Sequence, residues 1–214
     1  MFIDIHTHKV SKIKSNITIT SFRYGYEEIP NIPYASAAIH PWDVDNSILL
    51  SEYESKIGSF FMMSEIGLDK LYPSYQQQKE LFIAQLNLAR KYNKIVVIHS
   101  VKSHNEILSI LRSFSDLTMI IHSFTGSLEI AQNYLDLGCY LSFSPLSLSS
   151  EKGKTIFQHI PLNRLFFESD ATNITIEEQY LTGVEMLSTN VDNLKNIVLE
   201  NFKNLCSNRV QSCY

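Results

Sequence analysis

The chain has 214 residues, a formal net charge of −4 and a pI of about 6.0. A chain of this length can bury a substantial core within one domain. The slightly acidic balance gives no global basic field for holding long nucleic acid. An enzyme that acts on nucleic acid is not excluded, because bound metal ions add local positive charge.

Eight short runs have the composition of β-strands, and several are continuous apolar stretches typical of parallel strands covered on both faces. In chain order they are residues 2–6, 16–22, 34–40, 60–66, 94–100, 118–123, 139–144 and 164–170. Helical patterns lie at about 46–57, 74–92, 103–114, 127–137 and 175–207. Ser74 and Thr175 are the expected N-caps of the second and the last of these helices.

The alternation of strands and helices predicts right-handed parallel units, and eight strands predict an α/β fold of the (β/α)₈ TIM barrel type. The barrel is short, because only about ten residues, 7–16, join the first two strands and leave little room for a crossover helix. Residues 23–33 carry two prolines and a glycine and are typical of a loop. We therefore expect one domain, residues 1–214, with one or two early helices missing.

The first strand ends in the sequence DIHTH, residues 4–8. Side chains alternate between the two faces of a strand, so His6 and His8 are expected to point the same way and could hold one cation. The ordinary alternative is a pair of exposed polar residues at a strand end. A catalytic metal site needs about three or more protein ligands, so the rest of the set must come from elsewhere in the chain.

Residue types that bind metals recur at the ends of the predicted strands. They are His6, His8, His40, Glu65, His99, His122 and Asp170. A single histidine after an apolar run is usually a polar cap of the core, but five of the seven histidines and two acids share this one topological position. Barrels of this kind carry their catalytic groups at the C-terminal rim of the strands, so the pattern predicts a metal site there.

Six motifs together resemble the TatD family of metal-dependent hydrolases and deoxyribonucleases, within the amidohydrolase-like barrels. They are DIHTH (4–8), AIHPW (38–42), EIGLD (65–69), the stretch 78–100 that ends in VVIHS, IIHSFTGS (120–127) and FFESD (166–170). The motifs run in the family's order. Together they are highly specific, although the DxHxH pattern alone is shared with other metal hydrolases.

The resemblance implies two divalent metal cations, with Zn, Mn and Mg left open as their identity. It maps the metal ligands onto His6, His8, Glu65, His99, His122 and Asp170. One cation would lie between His6, His8 and Asp170, the second at His99 and His122, with Glu65 bridging the two. Two such cations can activate a water and stabilise the attacking and leaving oxygens of a phosphodiester. Asp170 is the expected general base, and Asp170 and Glu65 are the two residues expected to be catalytic.

Three residues are expected on the substrate side of the site. His40 resembles the family's substrate-side histidine and could contact phosphate. Trp42 could stack on a base, or it could simply cover the core. The family has an arginine two residues after the fifth-strand histidine, a place that Val101 takes here. The neighbouring Lys102 could supply the positive charge of its side chain instead.

The sequence departs from the family pattern around the expected metal centre rather than within it. Trp42 replaces the second histidine of the His-Pro-His pattern, and residues 171–173 are Ala-Thr-Asn where the family often has Ala-Pro-Tyr. The leading hypothesis is a phosphodiester hydrolase, a deoxyribonuclease with 3'-5' exonuclease character acting on DNA. The alternatives are a hydrolase of a small phosphoester or amide on the same centre, and a metal-binding protein without turnover.

Other candidates have ordinary interpretations. His104 and His159 lie outside the motifs, Asp4 and Glu168 are expected beside the site rather than as ligands, and Asp69 is expected to structure a loop.

The location is expected to be cytoplasmic. Cys139, Cys206 and Cys213 are odd in number and lack metal-ligand spacing, and reduced thiols fit them best. The N-terminal stretch lacks the apolar run of a signal peptide, and no apolar run approaches membrane-spanning length, so no membrane partner is expected. Nothing in the sequence implies an obligate protein partner.

Overall fold

The computed structural model describes residues 1–11, 13–44 and 50–207. Eight parallel strands follow one another in chain order, as the sequence predicts. They are β1 (Ile3–Thr7), β2 (Ile17–Arg23), β3 (Ala35–Ala38), β4 (Met63–Asp69), β5 (Val96–Val101), β6 (Met119–Ile121), β7 (Tyr140–Phe143) and β8 (Leu165–Phe167). The strands form two sheets, β1–β3 and β4–β8, and within each sheet every strand pairs with the next.

The edges of the two sheets meet at two seams. At the β8–β1 seam, the Asp170 amide donates to the His6 carbonyl at 3.1 Å, and Thr7 and Asp170 form an isolated parallel bridge. At the β3–β4 seam, the Phe61 amide donates to the Ala35 carbonyl at 2.7 Å. The expected α/β fold with parallel strands is therefore confirmed, and local hydrogen bonds rather than a continuous ladder join the two sheets at both seams.

Seven α-helices are present in the described ranges. They are α1 (Leu50–Lys56), α2 (Tyr75–Lys91), α3 (His104–Leu111), α4 (Leu128–Asp136), α5 (Glu151–His159), α6 (Ile176–Leu187) and α7 (Val191–Cys206). The described residues of the β1–β2 and β2–β3 connections contain no helix, which confirms the shortened barrel. In the same ranges, no helix combines the length and the apolar character needed to cross a membrane.

The helix predictions need three corrections. Helix α5 was not expected; Ser150 caps it by accepting from the Gly153 amide at 3.0 Å, and its apolar pattern is too sparse to mark it in the sequence. The expected single helix at 175–207 is two, because Ser188 adopts a left-handed conformation (φ 50°) and Asn190 caps a new start. The Ser74 side chain makes no capping hydrogen bond, whereas the Thr175 side chain accepts one from the Glu178 amide within a capping box. Residues 46–49 of the first predicted helix lie outside the described residues.

The expectation of reduced thiols holds for only one cysteine. Cys139 is buried and free, but Cys206 is disulfide-bonded, so the expectation is wrong there. Cys213 lies outside the described residues.

Helix α6 packs closely on β8, the strand that leads to Asp170. A Cβ at Gly183 of α6 would lie 2.5 Å from Cζ of Phe167 and 3.2 Å from Leu194. The Phe167 ring is buried and lies against the rings of Phe157 and Tyr180, so it has little room to move away. The glycine therefore sets the distance between the helix and the strand.

Replacement of Gly183 by alanine tests this packing. We expect Gly183→Ala to lower the free energy of unfolding by about 1–3 kcal/mol, because overpacking outweighs the gain in helix propensity. Urea denaturation measures the change. Gly58→Ala is the matched control, since a Cβ there meets nothing within 4 Å. Equal stability of the two variants would contradict the close approach.

Candidate metal centre

The side chain of Glu65 lies at the centre of the site. In the β4–β5 pairing, Ser64 is opposite Val97 and Ile66 is opposite Ile98, so Glu65 is one residue in excess. Such a bulge re-aims a side chain and often occurs beside functional sites. The expectation that Glu65 closes its strand is wrong, because β4 continues to Asp69. The bulge still brings the carboxylate to the residues that follow the other strands.

Five imidazoles surround this carboxylate, and each has a ring nitrogen within 4 Å of it. They belong to His6, His8, His40, His99 and His122.

Each oxygen of Glu65 faces its own group of rings. Oε1 lies 3.3 Å from Nε2 of His6 and 3.3 Å from Nε2 of His8, both from the DIHTH motif. Oε2 lies 2.9 Å from Nε2 of His122 and 3.1 Å from Nδ1 of His99. One carboxylate therefore joins the end of β1 to the ends of β5 and β6, as a bridging ligand must.

The charges in this cluster are strongly coupled. Burial alone would raise the pKa of Glu65, but the imidazoles of His122 and His6 outweigh it and hold that pKa well below its usual value. Burial alone would lower the pKa of His122, yet the carboxylates of Glu65 and Glu168 hold it well above the usual value. The site thus keeps a buried carboxylate ionised by surrounding it with positive charge.

Asp170 reaches the cluster from the β8–β1 seam. It follows β8 in a left-handed conformation (φ 52°), and its Oδ1 lies 3.7 Å from Nε2 of His8. The neighbouring Ser169 donates from its amide and its hydroxyl to the carboxylate of Asp4, at 3.0 and 2.6 Å. Asp4 therefore supports the seam that holds Asp170, in keeping with its expected place beside the site.

A second layer of polar groups orients three of the rings. Glu168 Oε1 lies 3.2 Å from Nδ1 of His122, in keeping with its expected place beside the site. Ser64 Oγ lies 3.1 Å from Nδ1 of His6. Asp69 Oδ2 lies 3.4 Å from Nε2 of His99. Such partners fix the orientation of metal-binding imidazoles.

The partners Ser64 and Asp69 were not found from the sequence. Asp69 also accepts from the Leu71 amide at 2.8 Å, the loop role that was expected of it. A four-residue offset between Glu65 and Asp69 in a regular strand places them on one face, and this was the available signal. Nothing in the sequence marked Ser64.

The donor atoms fit divalent cations. Three groups each bring one ligand atom per residue to within 4.8 Å of the others: His6, His122 and Asp170; His6, His8 and Glu65; and His40, Glu65 and His99. Among buried side-chain nitrogens and oxygens of the described residues, His6 Nε2 alone has no hydrogen-bond partner. Mixed imidazole and carboxylate donors suit transition metals such as Zn and Mn. All six expected ligands are in these groups, and which residue binds which cation stays a prediction.

The ring of His40 also faces the cluster, and its second nitrogen indicates a different role. Its Nδ1 accepts from the Trp42 amide at 3.2 Å, so the neutral ring carries its proton on Nε2, the nitrogen that lies 3.9 Å from Glu65. Burial, the largest influence, lowers the pKa of His40 to about 3. His40 is therefore a neutral donor near the centre, although it belongs to one of the three groups above.

The other expected substrate residues lie at different distances from the cluster. Trp42 is next to it, with its Nε1 donating to Asp69 Oδ2 at 2.8 Å. Lys102 follows β5 with an exposed side chain and makes no hydrogen bond or ion pair with the cluster residues described above. His104 and His159 bind elsewhere, to Ser100 Oγ at 2.8 Å and to the Thr155 carbonyl at 2.7 Å.

Comparison with known proteins gives one family. A family model described as "TatD related DNase" matches residues 6–214. The chain is 32% identical over 137 residues to the "Uncharacterized metal-dependent hydrolase YcfH" of Escherichia coli strain K12, covering 61% of this chain and 50% of that protein. It is 29% identical over 153 residues to the "3'-5' ssDNA/RNA exonuclease TatD" of Edwardsiella piscicida, covering 66% and 59%. The chain thus spans about half the length of the curated relatives it matches.

The fold is similar to that of solved structures. The structure of YjjV, a TatD homologue from Escherichia coli, superposes with a TM-score of 0.73 at 21% identity, covering 82% of this chain and 78% of that one. The TatD family hydrolase from Entamoeba histolytica gives a TM-score of 0.70 at 17% identity, covering 79% and 74%. At these identities the likeness shows the fold alone.

Replacement of Glu65 tests whether this carboxylate holds the metal. We expect Glu65→Gln to lose most of the divalent metal that purified protein carries, because the amide supplies less charge and cannot bridge as a carboxylate does. Elemental analysis after gel filtration measures the content. His159→Ala is the control, since that ring binds only the Thr155 carbonyl among its described contacts. Equal loss in both variants would contradict the assignment.

Replacement of Glu168 tests the second layer. We expect Glu168→Gln to weaken metal affinity by roughly 10–100-fold, the usual cost of losing a partner that orients an imidazole ligand. Isothermal titration with Zn²⁺ or Mn²⁺ measures the affinity. Glu185→Gln on α6 is a control of the same chemistry away from the cluster. Unchanged affinity in Glu168→Gln would show that His122 needs no such partner.

Proposed function

The chain belongs to the TatD-related DNase family, and on that premise we propose that it hydrolyses phosphodiester bonds with two divalent cations, as a deoxyribonuclease with 3'-5' exonuclease character. The observation that carries the proposal is the convergence of five imidazoles on Glu65, with Asp170 beside them. The name of the Edwardsiella piscicida relative, a 3'-5' ssDNA/RNA exonuclease, supports this substrate class.

In this proposal the six expected ligands divide into two sets. His6, His8 and Asp170 would hold one cation, His99 and His122 the other, and Glu65 would bridge them. Bound divalent cations supply Lewis-acid chemistry, lowering the pKa of water and stabilising negative charge on phosphoryl oxygens.

Asp170 is the general base of the proposed reaction. Its side chain is partly exposed whereas that of Glu65 is buried, so Asp170 offers an oxygen that a water can reach. Its backbone is fixed by the bonds to His6 and His8, which limits the movement of the carboxylate. Asp170 accepts the proton of the attacking water as the oxygen–phosphorus bond forms, and the leaving oxygen departs from the opposite side of phosphorus.

His40 orients the substrate. Its neutral ring has Nε2–H directed toward the cluster, so it can donate to a phosphoryl oxygen without repelling the cations. Lys102 lies just after β5 and can contribute a charge to a more distant phosphate of a polymeric substrate.

A second candidate is hydrolysis of a small phosphoester or amide on the same centre. Val101 stands where the resemblance calls for arginine, and Lys102 makes no contact with the cluster residues, so bidentate phosphate recognition is reduced at this place. Incubation of the metal-loaded chain with single-stranded DNA, duplex DNA and small esters distinguishes the two. Turnover of small esters without release of nucleotides would favour the second candidate, and turnover of none would favour a binding protein.

Replacement of Asp170 tests the proposed base. We expect Asp170→Asn to lose roughly 10²–10⁴ in kcat on single-stranded DNA while remaining folded, because the apolar strands form the core and the amide is a poor base. Nucleotide release, metal content and circular dichroism are measured together. Asp192→Asn is the isosteric control, since that side chain is 85% exposed at the start of α7. Near-normal turnover in folded Asp170→Asn would refute the assigned role.

A further inference from the structure

Two aromatic rings lie together beside the metal centre. The indole of Trp42 stacks on the ring of Tyr72, with centroids 4.4 Å apart and planes within 13°. Both rings remain partly exposed, at 38% for Trp42 and 41% for Tyr72. The indole contacts the His40 ring, with centroids 4.5 Å apart, and that imidazole faces Glu65.

Polar contacts hold the indole in place. Trp42 Nε1 donates to Oδ2 of the buried Asp69 at 2.8 Å. The Arg23 guanidinium lies 5.7 Å from the indole centroid and pairs through two nitrogens with the buried carboxylate of Asp43. A group held from several sides before binding loses little freedom when a ligand binds.

The surface that results is aromatic rather than cationic. The charge of Arg23 is compensated by Asp43, so this part of the rim offers two partly exposed aromatic rings and not a free positive charge for phosphate. A π-face matches the flat ring of a nucleobase, and every base has one.

Resting on the proposed phosphodiester hydrolysis, we propose that Trp42 and Tyr72 form a platform on which the unpaired base of the terminal nucleotide stacks while its phosphodiester lies at the metal centre. One sugar separates a base from its phosphate, which corresponds to the single layer of imidazoles, His40 and His99, between the indole and Glu65. A base inside a duplex is covered on both faces by its neighbours. The platform therefore selects single-stranded ends over duplex interiors.

The single tryptophan of the chain makes the platform directly observable. We expect a phosphorothioate oligothymidylate, which resists hydrolysis, to quench the Trp42 fluorescence of the metal-loaded chain. An abasic oligomer of equal length should not quench it. Tyr72→Ala should weaken binding of the base-bearing oligomer by roughly 5- to 150-fold, the range expected for one base on an aromatic surface.

The matched control is Tyr92→Ala. Tyr92 is 38% exposed, like Trp42, but follows α2 at the end of the helix that leads into β5, on the opposite rim of the barrel. Its loss should leave quenching and affinity unchanged. Circular dichroism checks the fold, and Tyr72→Leu replaces Tyr72→Ala if the latter unfolds.

Kinetics give a second readout. Trp42→Phe keeps a ring and loses the bond to Asp69, whereas Trp42→Ala loses both. We expect KM for single-stranded DNA to rise more in Trp42→Ala than in Trp42→Phe, and the difference to vanish on a substrate whose terminal nucleotide is abasic.

The outcomes separate the platform from the proposed function. Hydrolysis of single-stranded DNA with equal KM for intact and abasic ends, and no quenching, would overturn the platform and leave the nuclease standing. Base-dependent quenching without hydrolysis of any phosphodiester would support the platform and overturn the proposed function.

Discussion

A carboxylate taken out of water stays ionised only where positive or hydrogen-bonding groups replace its hydration, and Glu65 is such a carboxylate. Its two oxygens are within 4 Å of nitrogens from five imidazoles. These rings are carried by β1, by β5 and by the residues that follow β1, β3 and β6, so the arrangement of much of the barrel rim depends on this one buried charge. A divalent cation supplies the same kind of compensation, which is why the cluster fits a metal.

The fold brings these groups together despite its reduced outer layer. The first two crossover connections lack helices in their described residues, yet β1, β2 and β3 still pair in parallel. Hydrogen bonds at the two seams join this smaller sheet to the larger one. The bulge positions the carboxylate of Glu65, and the Asp4–Ser169 contact at the β8–β1 seam supports the position of Asp170. The helices on one side can thus be lost without displacing the rim, because strand pairing and not helix packing fixes the positions of the ligands.

The strands and most of the cluster could be predicted from the sequence because both follow local rules. Apolar β-forming runs mark buried parallel strands, and chemistry-bearing residues at their ends mark the rim. Glu65 was placed at the end of its strand because a bulge leaves no pattern in a continuous apolar run. Helix α5 is not predicted from the sequence because it has few buried residues, and the cap at Ser150 is its clearest signal. Ser64 meets His6, and Asp69 meets His99, between different strands, a relation that one chain segment does not reveal.

Anomalous diffraction from crystals of the metal-loaded chain, recorded at the absorption edge of the bound ion, tests most directly whether the imidazoles around Glu65 hold metal. Up to two peaks are expected, within ~2.0–2.3 Å of Glu65 oxygens and of nitrogens of the surrounding histidines. Peaks at His104 or His159, or a cluster that takes up no metal at saturating concentration, would contradict the account.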